Sequence, residues 1–556
     1  MACLKIFSGV FPEIMEEIIR YLRNDFSTLH SCILVNRLWC RLTIPLLWED
    51  PFSIATRNFH FIEIYLHELN NDEKTKLINY RMKNDIIPLN TLFNYSSFIK
   101  KLNTKHIIYI IEIWIKEARS LTNKDRAGYK YKECTRLVYE FLFKIFTNNA
   151  NLNTFEIVLM GYRWDLSFFF EDIFNTSLSN PNFIRNIKNL TLYVSYKNAV
   201  TTIEYLRIEQ FLSLISSKCN LITSLDLRLD YNGNIINNDN NIFKKFTSDI
   251  IRSQNVIKKI LFNGDSFDIL DKLYLLKNLN NPNSLKTIIF NEINFTNITI
   301  NIIEILEKLN GLESFHILNC KLNFDNIQQL INITKPFKLR SLFINMIVVN
   351  IEQFQLLLEV YGKYLENIKF GKLSDNESKE KLINLMIKYC PKIRYFELHK
   401  SVDDRNIHST FNLIKNIGYN LNYLDINFPQ NFNLCSIILQ ELGQILPKKL
   451  KYLNLNIIIN LNDFKIFLNN SKNTFIEKLL ILNNNSNDEN DERILIYLKE
   501  HNMKIKRLNY LAYVKGNGVN LSCMKNEAKE FRSYGIQILN YNDSSIQFVD
   551  FVKEMY

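Results

Sequence analysis

Apolar residues recur along most of the chain in one spacing: an apolar residue, two others, an apolar residue, one other, and a third apolar residue. Leu339, Leu342 and Ile344 form one such triad. The last two members are two positions apart, so they lie on the same face of a β-strand. The central residues of the triads are Phe155, Leu190, Leu225, Ile260, Ile288, Phe315, Leu342, Ile368, Phe396, Leu424, Leu453, Leu479 and Leu508.

The spacing of these triads is nearly constant. Neighbouring central residues are 35 positions apart from Phe155 to Ile260, and 26 to 29 apart from Ile260 to Leu508. The segments between triads have helical periodicity, as at Ile302, Leu306 and Leu309. One strand and one helix in fewer than about 30 residues resembles a leucine-rich repeat, although the polar residue usual after the strand is mostly missing.

A single unit of this kind cannot bury its own apolar face, so neighbouring units must stack into a solenoid. We therefore expect an α/β fold in which residues 151–556 form a degenerate leucine-rich-repeat solenoid with a curved parallel sheet. The array has about 12–13 repeats. Residues 51–150 have the apolar stripes of helices and few Gly or Pro, which predicts a rigid helical connector.

The N-terminal stretch Phe11–Asp50, "FPEIMEEIIRYLRNDFSTLHSCILVNRLWCRLTIPLLWED", resembles an F-box. The family pattern is Leu-Pro, an apolar helix ending in Tyr-Leu, a short break, then a Val-x-Arg-x-Trp and a final Trp. Phe11 stands where the family usually has Leu, and Asn36 where Cys is common. Asp25 is placed to cap the second helix. Trp39 and Trp48 give a unit of about forty residues the large buried area that it needs to fold.

The resemblance implies three helices within residues 1–50 and a surface that binds a Skp-type adaptor, and through it a cullin. The residues implied are Phe11, Pro12, Ile14, Ile18, Leu22 and Val35. An F-box followed by leucine-rich repeats is similar to the substrate receptors of SCF ubiquitin ligases, which are abundant in fungi. Such a receptor is not an enzyme: it holds a protein substrate close to the ubiquitin-charged enzyme.

The strand pattern also predicts a substrate surface. Residues that alternate with the buried triad positions face the concave side, and those just before the central positions include three tyrosines from consecutive repeats. Tyrosine and arginine are favoured in binding hot spots. We expect the substrate to contact Tyr395, Tyr423, Tyr452, Lys478 and Arg507. The alternative is that these tyrosines only pack sideways along the sheet.

Composition narrows the remaining possibilities. The net charge of +11 over 556 residues is too small to indicate a nucleic-acid binder. The nine cysteines contain no CxxC and the N-terminus has no signal peptide, which favours the cytoplasm, the nucleus or both. The most apolar run, Ile107–Ile115, carries Glu112 and is too short to cross a membrane.

No enzyme motif is present, and no spacing indicates a metal or cofactor site. A second hypothesis is a repeat scaffold or sensor without a role in degradation. It differs from the receptor hypothesis in whether bound proteins acquire ubiquitin.

Overall fold

The chain forms two compact units, Met1–Leu285 and Lys286–Tyr556. The structure is a computed structural model, and it describes residues 12–23, 25–53, 59–80, 87–88, 90–118, 129–160, 180, 182–196, 202–231, 239–264, 275–276, 279–296, 302–334, 337–346, 351–372, 376–398, 405–485, 488–505 and 508–556. Two residues of the predicted sites, Phe11 and Arg507, lie outside these ranges.

The first unit begins with helices and continues as alternating strands and helices. Its strands are β1 (Lys101–Asn103), β2 (Thr154–Met160), β3 (Asn189–Tyr196), β4 (Ser224–Tyr231) and β5 (Lys259–Asn263). Its helices are α1 (Pro12–Tyr21), α2 (Phe26–Ile33), α3 (Arg37–Leu47), α4 (Phe61–Leu66), α5 (Asn71–Asn79), α6 (Thr104–Ala118), α7 (Tyr129–Asn149), α8 (Asn182–Arg185), α9 (Thr202–Lys218) and α10 (Asp239–Ser253). Short 3-10 helices span Tyr95–Phe98 and Pro282–Ser284.

The second unit alternates strands and helices along most of its length. Its strands are β6 (Thr287–Asn291), β7 (Ser314–Cys320), β8 (Lys338–Met346), β9 (Asn367–Lys372), β10 (Tyr395–Leu398), β11 (Tyr423–Phe428), β12 (Lys449–Ile457), β13 (Phe475–Asn483), β14 (Tyr510–Val514) and β15 (Gln537–Ile538). Its helices are α11 (Ile302–Glu307), α12 (Phe324–Ile331), α13 (Ile351–Tyr361), α14 (Asn376–Tyr389), α15 (Ile407–Ile417), α16 (Phe432–Ile445), α17 (Leu461–Asn470), α18 (Asp488–Ile505), α19 (Lys525–Ser533), α20 (Tyr541–Ser544) and α21 (Phe548–Met555). Its 3-10 helices are Gly362–Tyr364, Ser471–Asn473 and Leu521–Cys523.

In each unit the strands pair in chain order and in parallel, as the repeat pattern predicts. The central triad residues stand beside one another: Phe155 pairs with Leu190 in the first unit. In the second unit Phe396 pairs with Leu424, and Leu424 pairs with Leu453. All of these side chains are buried between the sheet and the helices. The predicted parallel α/β repeat is thus confirmed at the level of register.

One strand pair departs from the simple spacing. Phe315 of β7 pairs with Leu339 of β8, and after a shift of one residue Ile317 pairs with Leu342. A second shift of one residue, in the opposite direction, lies between Leu318 and Cys320, and Asn319 at this shift has a φ of 54°. These irregularities are β-bulges, and because the two shifts cancel, the pairing after the second bulge returns to the register that it had before the first.

The last predicted triad is wrong in position. The strand of that repeat is β14, and Leu511 pairs with Leu479, so Leu508 is not a central residue. Ile505 ends helix α18 instead of opening a strand. The error arose because the helix before β14 is longer than in the preceding repeats, and Ile505 at its end has the spacing of a triad with Leu508, which follows the helix.

The sheet of the first unit starts earlier than the sequence pattern indicates. Strand β1 lies in the predicted helical connector, and its Leu102 pairs with Phe155. Backbone N–H groups of Lys100 and Lys101 donate hydrogen bonds to the carbonyl oxygen of Glu49, at 2.9 and 3.1 Å. The N-terminal helices are therefore joined to the first strand by backbone hydrogen bonds.

The helices of the second unit pack closely at a few glycines. Gly443 of α16 faces α17, and a Cβ atom added there would lie 2.7 Å from the carbonyl oxygen of Phe467 and 2.8 Å from Cβ of Asn470. Gly362 stands in similar contact with Tyr389 of α14, at 2.7 Å from its carbonyl oxygen. At these positions the absence of a side chain sets the distance between consecutive helices.

We expect the substitution Gly443→Ala to lower the free energy of unfolding by about 1–3 kcal/mol, because the new methyl group forces α16 away from α17. Urea denaturation followed by circular dichroism measures this change. Gln444→Ala is the matched control, since Gln444 is the exposed neighbour in the same helix. Equal stability of the two variants would contradict the close packing of α16 and α17.

Candidate functional site

Helix α1 is apolar on two of its faces. Met15 and Ile19 are 0% exposed and face the interior, as their spacing of four residues requires. Ile14 and Ile18 have the same spacing, yet they are 47% and 39% exposed. Tyr21 continues this second row and is exposed as well. We call Ile14, Ile18 and Tyr21 the α1 stripe: it is an apolar row that stays partly exposed in the described part of the unit.

Other predicted adaptor-binding residues lie on the same group of helices. Val35 is exposed in the turn between α2 and α3, next to exposed Leu34. Leu22 follows α1 and is half-buried. Pro12 is the first residue of α1, where its missing N–H costs nothing.

The framework behind the α1 stripe is held by specific contacts. Asp25 caps α2, as predicted: one of its carboxylate oxygens accepts a hydrogen bond from the backbone N–H of Thr28 at 3.0 Å. Arg23 Nε donates to Glu49 at 2.7 Å. Helix α1 packs against α3. These contacts fix the turn after α1, and with it the direction of the exposed side chains.

The two tryptophans of the N-terminal stretch have different surroundings. Trp48 packs in an aromatic cluster with Tyr65 and Tyr95, with ring centroids 5.3 and 4.2 Å away. Trp39, in α3, is half-buried. Trp48 therefore ties the end of α3 to the next helices of the first unit.

The predicted row of substrate-contacting residues exists in the second unit, and its members are adjacent. Tyr395 pairs with Tyr423, Tyr423 with Tyr452, and Tyr452 with Lys478. The next position in the row belongs to Tyr510, which pairs with Lys478. The register thus gives Tyr510 the place that the sequence analysis assigned to Arg507.

This face of the sheet is covered by the end of the chain itself. We call residues 540–556, which include α20 and α21, the strap. Phe548 and Phe551 lie against Tyr395 with ring centroids 5.3 and 5.6 Å away, and Phe551 lies 4.9 Å from Tyr423. Tyr395 and Tyr452 are only 0% and 2% exposed. Their predicted contact with a substrate stays a prediction, and it requires the strap to leave.

Polar contacts hold the first half of the strap. Lys478 Nζ donates a hydrogen bond to the carbonyl oxygen of Ser544 at 2.9 Å. The backbone N–H of Ile546 donates to the hydroxyl of Tyr452 at 3.3 Å. The hydroxyl of Tyr541 donates to the side-chain oxygen of Asn454 at 2.9 Å.

Tyr556 anchors the other end of the strap. Its hydroxyl donates to Glu366 at 2.7 Å and accepts from Asn367 at 3.1 Å. Its ring lies 5.2 Å from the guanidinium of Arg340 and 4.5 Å from the ring of His316. The strap therefore makes side-chain contacts with strands from β7 to β13.

A group of charged residues lies under the middle of the strap. Lys369 Nζ is 2.9 Å from Glu397 Oε2 and 4.4 Å from the ring centroid of Phe548. Tyr395 donates to Glu397 at 3.3 Å, and Asp425 accepts from Asn454 at 3.0 Å. Burial, and then the nearby Glu397 carboxylate, raise the pKa of Asp425 to about 7, while the Asn454 hydrogen bond and Lys369 act in the opposite direction.

The side chains of this face are hydrogen-bonding and aromatic groups. Among the residues that the structure describes, no three His, Cys, Asp or Glu side chains are grouped so that they could hold a metal ion. The described helices also include none that is long and apolar enough to span a membrane. Burial raises the pKa values of Tyr395 and Tyr452, so both remain neutral hydrogen-bonding groups at physiological pH.

Sequence reasoning missed the strap. The sequence "FVDFVKEMY" places Phe548, Phe551 and Val552 on one helical face, and this periodicity is the signal that could have revealed an amphipathic segment. It does not reveal which surface the helix covers. That information lies in the match between its aromatic residues and the tyrosines of the sheet.

The pKa of Asp425 leads to a prediction about stability and pH. Its value in the folded protein, about 7, lies above the ordinary value of about 3.9 in an unfolded chain. The protonated side chain therefore contributes stability that is complete below about pH 4 and is lost as the pH rises towards about 7, by up to about 1.4 kcal/mol per pH unit. Lys369, Glu397, Tyr395, Tyr452 and Tyr541 surround this carboxyl group.

We expect Asp425→Asn to remove this contribution, because the amide does not ionise. Urea denaturation at several pH values between 4 and 8 compares the variant with the unmodified chain. The stability of the variant relative to the unmodified chain should increase as the pH rises. A constant difference over this range would mean that Asp425 does not keep its proton under the strap.

Comparison with models of known protein families finds no family that matches the chain. A search of curated proteins finds no match either. The function of this protein must therefore be argued from its own surfaces, the α1 stripe and the face that the strap covers.

Proposed function

We propose that the protein is the substrate-recognition subunit of an SCF-type ubiquitin ligase, with an N-terminal F-box and degenerate leucine-rich repeats. The α1 stripe binds a Skp-type adaptor, which connects the chain to a cullin. The sheet of the second unit binds the protein substrate. The chain itself carries out no chemistry, and its effect is to raise the local concentration of substrate near the ubiquitin-charged enzyme.

The observation that carries this proposal is the exposure of Ile14 and Ile18. An isolated exposed apolar residue is ordinary, but a helix that presents a second apolar row beside its buried one has a surface suited to a partner. The exposed Val35 and Leu34 extend the apolar area of the same helices. Ile14, Ile18 and Val35 are positions that the resemblance to an F-box assigns to adaptor binding.

The sheet supports the second half of the proposal by its composition. Tyrosine is enriched at the hot spots of protein interfaces, and complementary charges around such aromatic residues contribute to the choice of partner. Lys369, Glu397, Tyr395 and Tyr423 occupy adjacent strands of this face. Such a row of side chains offers a protein substrate both aromatic surface and charged groups, and the charged groups would favour some substrates over others.

A second candidate is a repeat scaffold without a role in degradation. One observation favours it: the strap buries Tyr395 and Tyr452, so the predicted substrate face is occupied by the chain itself. The two candidates differ in a reconstituted ubiquitination assay. A protein bound to the chain acquires ubiquitin in this assay only if the chain is a receptor.

We expect the double substitution Ile14→Asp and Ile18→Asp to abolish co-purification with a Skp-type adaptor. The loss should reach about a hundredfold or more in affinity, because two apolar anchors become charged. Surface substitutions of this kind change stability little, so the thermal denaturation of the chain should be nearly unchanged.

The matched control is Ile78→Asp, which charges a similarly exposed isoleucine of the first unit outside the α1 stripe. This variant should bind the adaptor as the unmodified chain does. Failure of the folded, unmodified chain to bind any Skp-type adaptor would overturn the F-box assignment. Equal loss in both variants would argue against a specific role for the α1 stripe.

A further inference from the structure

The two faces of the sheet in the second unit differ in composition. On the face covered by helices, the paired residues Ile368, Phe396, Leu424 and Leu453 are all apolar. On the face covered by the strap, strands β9 to β12 carry Asn367, Lys369, Glu397, Asp425 and Asn454 together with the tyrosines. Further along this face, Leu480, Ala512 and Val514 of β13 and β14 form a buried apolar cluster with Tyr452 and with Tyr541 of the strap. A face that is always covered is normally apolar, whereas polar residues are typical of one that meets water. The part of the face on β9 to β12, under α21, thus has the composition of a surface that is sometimes exposed.

The strap is also held differently from the rest of the unit. None of its residues extends the parallel sheet, whose last strand ends at Ile538. Its helices are short, at four and eight residues. Only Tyr541 and Val552 of the strap are fully buried, and the others are half-buried or exposed. Local openings of a protein are drawn from segments with few buried contacts and no strand pairing.

The contacts of the strap define a binding site in detail. Phe548 enters between Phe343, Lys369 and Tyr395, with ring centroids 4.9 Å from Phe343 and 5.3 Å from Tyr395. Phe551, three residues later on the same helical face, packs on Tyr395 and Tyr423. The site therefore accepts an amphipathic helix with two aromatic side chains three positions apart.

We propose that the strap is a displaceable intramolecular ligand, and that the partner which replaces it is an amphipathic helical segment of another protein with two aromatic residues three positions apart. The partner enters the same contacts with Tyr395, Tyr423 and Lys369. The strap excludes weaker ligands, so the face is available only to segments that match these anchors. This inference rests on the proposed function for the role of the face, but not on adaptor binding by the α1 stripe.

The test uses the full chain and a fluorescent peptide with the sequence of residues 540–556 as the probe. The double variant Phe548→Ala and Phe551→Ala weakens the internal ligand, so the peptide should bind this variant about tenfold or more tightly than the unmodified chain. A peptide with the same two substitutions should not bind. The matched control is Gln547→Ala with Glu554→Ala, on exposed positions of the strap, and it should bind as the unmodified chain does.

A folded double variant that gains no affinity for the peptide would overturn the proposal. Hydrogen exchange of the unmodified chain provides a test that does not depend on a variant. The amides of α21 should exchange faster than those of β11 and β12, and an excess of unlabelled peptide should speed their exchange further. Exchange of α21 only with global unfolding would make the strap a permanent part of the core and refute the inference.

Two outcomes separate this inference from other possibilities. Light scattering that detects dimers of the unmodified chain, lost on Phe548→Ala and Phe551→Ala, would assign the face to a second copy of the chain and overturn the proposal. Peptide exchange without adaptor binding would support the site and remove the ubiquitin-ligase assignment. Adaptor binding without peptide exchange would support the ubiquitin-ligase assignment and overturn the displaceable strap.

Discussion

The register of the triads is the constraint on which the rest of the structure depends. One strand and one helix bury too little apolar area to be stable alone, so each repeat needs the next to cover its central residue. The pairing of Phe396 with Leu424, and of Leu424 with Leu453, repeats this cover along the second unit. Since side chains alternate along a strand, fixing the apolar residues on the helix side also fixes which residues stand on the other side. The aligned tyrosines are a consequence of the buried leucines.

This alternation explains why the face under the strap can carry polar residues with only a modest loss of folding stability. The face covered by helices supplies the apolar burial that the unit needs, so the residues on the opposite face do not have to be apolar. Where they are nevertheless covered, they are paired: Lys369 with Glu397, Asp425 with Asn454, and Asn367 with Tyr556. Buried polar groups are tolerated when they have such partners. Asp425 is buried and lies near the Glu397 carboxylate, and both effects raise its pKa.

The repeat could be predicted from the sequence because its signal is local and occurs many times. The helix cap at Asp25 was predictable for the same reason, since a cap is decided within four residues. Strand β1 was missed because three residues with one buried leucine, Leu102, do not contain a triad. The last repeat was misplaced because Ile505, at the end of the longer helix α18, has the spacing of a triad with Leu508, which follows the helix. The F-box is a proposal that rests on forty residues of resemblance, and what the structure shows there is the partial exposure of Ile14 and Ile18.

The position of the strap could not be predicted from the sequence, because it depends on contacts between residues that are far apart in the chain. Phe548 follows Tyr395 by more than 150 positions, and no periodicity connects them. The connection between strap and sheet nevertheless has an energetic consequence. A tethered segment has an effective local concentration on the order of millimolar, so contacts that would be weak between separate molecules keep it in place. A partner that displaces it must therefore bind the face more strongly than the strap does. The strap thus covers the face and also prevents weakly binding segments from occupying it.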